Sequence, residues 1–217
     1  ITWGFAYIGL QEASMRGLAF KSDGTKMYVV GDNGDDINEY TLSTAWHIGT
    51  ASYTTVSSPV TSDDGGPQGI TFKPDGTKMY MMGGNTDTVY EYNLSPAWDI
   101  STLSLNASSS ASEDNYPGDL FINASGTKMY VPGSYSDRIY EYNLTSAWDI
   151  TSLSYVHSVR IYDEEPASTA VFLKSDGTKM YVIGFVNDNI NDYDLSTAWD
   201  VTTASSTLAY SVADRES

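Results

Sequence analysis

No cysteine occurs among the 217 residues, which removes disulfides, thiolate metal sites and a thiol nucleophile. Basic side chains are scarce: 11 Lys+Arg stand against 28 Asp+Glu, a formal charge of −17. A surface of that sign repels nucleic acid and anionic lipid. Apolar runs fall far short of the roughly 20 residues that a membrane-spanning helix needs, so no membrane insertion is expected, and no signal peptide is visible. The chain starts at Ile1 rather than Met, so it is read as processed or as a piece of a longer one. No segment sustains a 3.6-residue period, so helix is at most a minor component. Catalytic signals are sparse too. The two histidines, His47 and His157, sit in different repeats, and His47 occupies the position of Asp99, Asp149 and Asp200. Neither a glycine-rich phosphate loop nor a histidine-rich metal spacing occurs.

What the chain does have is a repeat. "GLAFKSDGTKMYVVGDNGDDINEYTLSTAWHI" (17–48) returns as "GITFKPDGTKMYMMGGNTDTVYEYNLSPAWDI" (69–100). It returns again as "DLFINASGTKMYVPGSYSDRIYEYNLTSAWDI" (119–150) and as "AVFLKSDGTKMYVIGFVNDNINDYDLSTAWDV" (170–201). Trp46, Trp98, Trp148 and Trp199 mark spacings of 52, 50 and 51 residues, the range of propellers, solenoids and arrays. Within a repeat, "GITFK" alternates as a strand and Asp-Gly supplies a tight turn. "TKMYMMG" and "TVYEYNLS" are further strands, and a Ser/Thr-rich stretch such as 50–58 is a fourth.

These blocks, F-x-x-D-G-T-K-M-Y-V followed by a turn and x-I-x-E-Y-x-L, resemble the YVTN and WD-repeat β-propeller superfamily over nearly the whole chain. The resemblance implies an all-β, four-bladed β-propeller with four antiparallel strands per blade. One domain is expected over 1–217, with blades starting near 17, 69, 119 and 170. Residues 1–16 are expected as a closing or partner-donated strand. The repeated methionines and tyrosines (Met27 and Tyr28 in the first blade) are expected in the core, and the four tryptophans largely buried between blades. Asp35, Asp87, Asp137 and Asp188 are expected to bond the local backbone. Some YVTN-like propellers are lactonases, but without a catalytic constellation the chain is read as not an enzyme.

Charge is expected to be two-faced. Acidic loops carrying Asp32, Asp36, Asp63, Asp64, Glu113, Asp114, Asp119, Asp163, Glu164 and Glu165 gather on one face, while Lys21, Lys26, Lys73, Lys78, Lys128, Lys174 and Lys179 flank the hairpins on the other. Asp63, Asp64, Asp114, Asp163 and Glu164 are weak Ca²⁺ candidates, since none completes a spaced calcium loop; otherwise no cofactor is expected. Two segments, 2–14 and 203–217, compete for one closing strand, and the first carries Trp3, Phe5, Tyr7 and Ile8. The functional expectation is therefore a secreted or extracellular structural protein. It would assemble with itself into a filament or appendage through strand addition at those four residues and face-to-face contacts. The alternative is a secreted or phage-borne binding module, with glycans stacking on Tyr116, Tyr135 and Phe185. The Asn-x-Ser/Thr sites at Asn93, Asn106, Asn123 and Asn143 are read as chance matches.

Overall fold

The computed structural model describes residues 8, 9, 11–161, 166–187 and 189–211. Its sixteen strands form four four-stranded antiparallel sheets, each ordered as the chain runs. Blade 1 contains β1 (Met15–Phe20), β2 (Lys26–Gly31), β3 (Asp36–Leu42) and β4 (Ala51–Pro59). Blade 2 contains β5 (Pro67–Phe72), β6 (Lys78–Gly83), β7 (Thr88–Asn93) and β8 (Ser104–Ser110). Blade 3 contains β9 (Phe121–Ile122), β10 (Lys128–Gly133), β11 (Arg138–Leu144) and β12 (Leu153–Arg160). Blade 4 contains β13 (Ser168–Leu173), β14 (Lys179–Gly184), β15 (Asn189–Leu195) and β16 (Ala204–Ser211). The fold is a four-bladed β-propeller. The chain divides into two compact units, 1–108 and 109–217, with the division falling inside β8.

The repeated hexapeptide is the end of a turn and the start of the second strand. Gly24 donates its N–H to the Lys21 carbonyl at 2.8 Å, closing the β1–β2 turn. Its φ of +72° is one that a side chain resists. The Asp23 carboxylate accepts from the Thr25 amide at 3.0 Å and from its hydroxyl at 2.6 Å. Trp46, twenty-two residues on, donates its amide to the Gly24 carbonyl at 3.0 Å. The Trp46 indole then lies on the glycine, so a Cβ there would stand 2.4 Å from Trp46 Nε1. Gly76 with Trp98, Gly126 with Trp148 and Gly177 with Trp199 repeat the arrangement. Each of these tryptophans has a left-handed φ, between 61° and 67°. The "DGT" and "AW" motifs are therefore two halves of one lock.

That lock corrects the expected burial of the tryptophans. Trp46 is 60% exposed, and Trp98, Trp148 and Trp199 are half-buried. Only part of the bridging role is present: Trp98 stacks at 6.5 Å on Tyr28 of blade 1 and lies 5.1 Å from Phe72.

In blades 2 and 3 an acid from the loop before the first strand is tied into the turn between the second and third strands, and Glu12 holds the matching place before β1. Asp64 accepts from the amides of Gly66 at 2.8 Å and Thr86 at 3.0 Å, and from the Thr86 hydroxyl at 2.7 Å. Asp114 accepts from the amides of Tyr116 at 2.8 Å and Ser136 at 2.9 Å. Glu12 accepts from the Ser14 amide at 2.7 Å. A glycine faces each: a Cβ on Gly83 would stand 2.4 Å from an Asp64 oxygen.

Gly76→Ala should lower stability by about 2–3 kcal/mol, through the left-handed φ and the collision with Trp98. Gly65→Ala is the control, since its Cβ would meet nothing closer than 3.6 Å. Urea unfolding of the two variants beside the parent measures both.

Candidate functional site

Each blade alternates side chains between two faces, and both are apolar, so each needs a neighbour. In the first unit, Tyr28, Val30 and Ile37 on one face of blade 1 pack with Ile70, Phe72, Met79, Met81, Tyr90 and Tyr92 of blade 2. In the second unit, Tyr130 and Ile139 of blade 3 pack with Val171, Leu173, Met180, Val182 and Tyr193 of blade 4. A hydrogen bond crosses each seam. Tyr28 donates its hydroxyl to the Trp98 carbonyl at 2.8 Å, and Tyr130 to the Trp199 carbonyl at 2.7 Å. Burial pushes both phenols above their usual range, so they stay neutral donors.

We call the side bearing Tyr28, Val30 and Ile37 the back face. It is fully buried in blade 1, and so are Tyr80, Met82 and Val89 in blade 2. Blade 4 departs from this pattern. Tyr181 is half-buried, Ile183 is 42% exposed and Ile190 is 39% exposed. Register pairing puts Phe172 opposite Tyr181, Ile190 opposite Ile183, and Tyr210 opposite Ile190, on that same face. Phe172 is 57% exposed and Tyr210 is exposed as well. This contiguous apolar surface, built from side chains that the repeat elsewhere buries, is the candidate site. Lys179 borders it, paired with Asp192 at 3.0 Å and with Asp194 at 2.8 Å.

The expected site residues fall elsewhere. Trp3, Phe5, Tyr7, Asp163, Glu164, Glu165 and Asp188 lie outside the described residues. Ile8 packs within its own chain, against Met27, Val29, Tyr40 and Leu42 of blade 1. Asp64 and Asp114 are filled by amide donors, which leaves a cation few of their lone pairs. Asp63 accepts from the Tyr92 hydroxyl at 2.7 Å. Asp137 accepts from the Ala167 amide at 2.8 Å in the next blade, rather than from local backbone. Tyr116, Tyr135 and Phe185 are exposed.

All seven lysines are ion-paired. Lys21, Lys73 and Lys174 hold Asp23, Asp75 and Asp176 within the hairpins. Lys26, Lys78, Lys128 and Lys179 reach Glu39, Glu91, Glu141 and Asp192 on the third strands. The Lys73 ammonium, together with Thr77, holds the Asp75 carboxyl down to about 2. The lysine-bearing loops therefore offer no unmatched positive charge for an acidic face to dock on.

One acid was not singled out by its position in the repeat, although the letters show it. Asp119 stands where the other blades have Gly17, Gly69 and Ala170. Its amide donates to the Thr169 carbonyl of blade 4 at 2.8 Å, and its carboxylate accepts from the Leu120 amide at 2.7 Å. Desolvation outweighs that hydrogen bond and pushes its pKa up to about 7.

No protein-family model and no curated protein matches the chain. Solved structures do. A provisionally named 6-phosphogluconolactonase from Bacteroides uniformis is 15% identical with a TM-score of 0.61, over 91% of this chain and 55% of that one. A periplasmic gluconolactonase from Pseudomonas aeruginosa is 14% identical with a TM-score of 0.56, over 90% and 53%. The β-propeller domain of Cps50 (Swd1) from Myceliophteria thermophila is 10% identical with a TM-score of 0.56, over 93% and 59%. At these identities the likeness is one of fold, and the chain spans about half the length of these structures. The names nonetheless overturn one expectation. Catalysis was excluded because the repeats carry no catalytic constellation, yet proteins named as lactonases share the fold. The reading of the chain as not an enzyme is withdrawn.

Asp119 makes a prediction about stability. An acid whose pKa is raised on folding binds its proton more tightly in the folded state. Its contribution is complete below the unfolded value near 4 and is lost as pH rises through about 7. Asp119→Asn should therefore unfold like the parent at pH 4 and be more stable at pH 8, by about 4 kcal/mol at most, read from melting curves across that range.

Proposed function

We propose that this chain is a self-assembling structural protein, working outside the cell, whose copies join through the back face of blade 4. The carrying observation is the exposure of Ile183 and Ile190 where the equivalent positions in the first three blades are buried. A surface of this kind is stable in water only at a cost, and a contiguous apolar patch marks an interaction site. The occupant is a second copy, because the front face of a blade is the surface that fits a back face within each unit. Blade 1 carries the equivalent front face in Met27, Val29, Tyr40 and Leu42, which match the Met79, Met81, Tyr92 and Leu94 that pack in the first unit. These four are buried in the single chain, so a second copy would dock there only by displacing what covers them. Ile8 is one of the residues that rest on it. A contact between unlike faces is heterologous and propagates unless its rotation closes.

Because −17 per copy opposes association, added salt should strengthen assembly. The double variant Ile183→Lys/Ile190→Lys should keep the parent's melting temperature, since both side chains are exposed, and should lose association by at least tenfold in sedimentation and electron microscopy. A parent that stays monomeric at high concentration and high salt, or a double variant that assembles equally well, overturns the reading.

A second reading is favoured by Asp119, namely hydrolysis of a sugar lactone. A carboxyl whose pKa desolvation raises to about 7 suits a general base at neutral pH, and Asp119 keeps partial exposure to solvent. Proton release from δ-gluconolactone, followed in a pH-stat, should then rise through pH 7 and fall to the spontaneous rate in Asp119→Asn. A parent no faster than buffer removes this reading.

A further inference from the structure

Where four near-identical repeats cover structural needs, a residue found once calls for its own account. His157 is the one histidine on a strand among the described residues. It stands on β12 opposite Glu141 of β11, and blade 4 has Leu208 at the matching register position. Glu141 is almost fully buried, with its side chain 1% exposed, while the His157 and Asp200 side chains are 31% and 33% exposed. His157 Nε2 lies 2.9 Å from Glu141 Oε2 and 3.4 Å from Asp200 Oδ1. Asp200 belongs to blade 4, where its Oδ1 caps the short 3₁₀ turn Val201–Thr203 by accepting from the Thr202 amide at 3.0 Å and the Thr202 hydroxyl at 2.5 Å. An ion at that oxygen would take the place of the hydroxyl, which can turn away. The three donor atoms lie within 4.8 Å of one another.

A single imidazole nitrogen here faces two carboxylates. It carries either one proton, which serves the nearer oxygen well and the farther one poorly, or a lone pair. We propose that it uses the lone pair, and that Glu141, His157 and Asp200 form a divalent metal site of the zinc class that staples blade 3 to blade 4. Donors about 2.1 Å from such an ion, at angles between octahedral and tetrahedral, stand about 3.0–3.4 Å apart. The two spacings from His157 Nε2 fall near that range, and the two carboxylates, within 4.8 Å of each other, would close on the ion. One imidazole with two carboxylates suits Zn²⁺, Co²⁺ or Mn²⁺ rather than Ca²⁺, which takes six to eight oxygens. The partial exposure of His157 and Asp200 leaves a path for the ion and room for water ligands.

The surroundings bear the charge. Lys128 pairs with Glu141 through its other oxygen, Oε1. The Val201 amide donates to Oε2 at 3.2 Å, holding that oxygen toward blade 4. Two carboxylates against one ammonium leave a net negative pocket. The first unit supplies an internal control, since its seam carries Glu39, Lys26 and Asp99 but no histidine.

The experiment uses the whole chain, stripped with a chelator and dialysed, with millimolar Mg²⁺ present to occupy exposed carboxylates. Zn²⁺ titrated calorimetrically should bind at one equivalent, and Co²⁺ should give a visible ligand-field band. His157→Gln keeps an N–H donor for Glu141 but has no ring lone pair. It should melt like the parent in chelator yet bind Zn²⁺ at least tenfold more weakly and lose the cobalt band. Asp200→Asn, which keeps an oxygen for the Thr202 cap, should weaken binding similarly. The proposal is overturned if the parent binds no Zn²⁺ at 100 µM-range concentrations (about a hundredfold above a micromolar Kd). It is equally overturned if the equivalent survives His157→Gln or disappears with His47→Gln instead.

Discussion

A sheet that is apolar on both faces cannot exist alone in water, and every feature of this molecule answers to that constraint. Each blade carries tyrosine, an aliphatic residue and isoleucine or valine on one side, and methionine and tyrosine on the other. Stacking blades buries both sets at once. The buried face also carries an acid, Glu39, Glu91 or Glu141, that a lysine thirteen residues earlier neutralises. Removing only one partner of such a pair leaves an uncompensated charge in a desolvated place. A phenol then crosses the seam to a tryptophan carbonyl, adding direction to an otherwise slippery apolar contact. That carbonyl is in place because its residue is held in a left-handed conformation over a hairpin glycine. Turn, lock and seam are thus consecutive links in one chain of causes.

Much of this was legible in the letters. The period, the strand texture and the Asp-Gly turn lead directly to four blades, because each follows from local chemistry. The tryptophans were half legible. Their size suggested burial, but their backbone is spent on the hairpin, and the indole covers a glycine at the surface rather than filling a core. The lysine–acid pairs were hidden for a different reason. Lys26 and Glu39 become neighbours only when Met27 is known to pair with Tyr40 and Tyr28 with Glu39, and register is a three-dimensional fact. The lysines had been placed on the face opposite the acidic loops, and the pairing leaves none of them unmatched.

Symmetry explains what the sequence reading weighed least. Arguing from repetition made the repeated residues structural and gave the unrepeated ones little weight. His157 was set aside for lacking equivalents, and Asp119 was grouped with the loop acids. The replacement at Asp119 is chemically expensive. Asp119 sets a carboxyl where Gly17 and Gly69 let two backbones approach so closely that a Cβ on Gly17 would lie 2.7 Å from Gly69 Cα. A repeat protein accumulates such departures only where the shared template does not suffice, or by drift that stability tolerates.

The exposed face of blade 4 belongs to neither category, and no reading of letters would reveal it. Tyr181, Ile183 and Ile190 match the residues that blades 1 to 3 bury, so sequence alone assigns them to a core. What differs is the neighbour, not the residue. Since the lysines are matched by hairpin and third-strand acids, the surplus of negative charge resides in acids that no lysine balances. Under the proposed assembly, electrostatics opposes every encounter between copies, and the exposed apolar face of blade 4 is the surface that would have to overcome it.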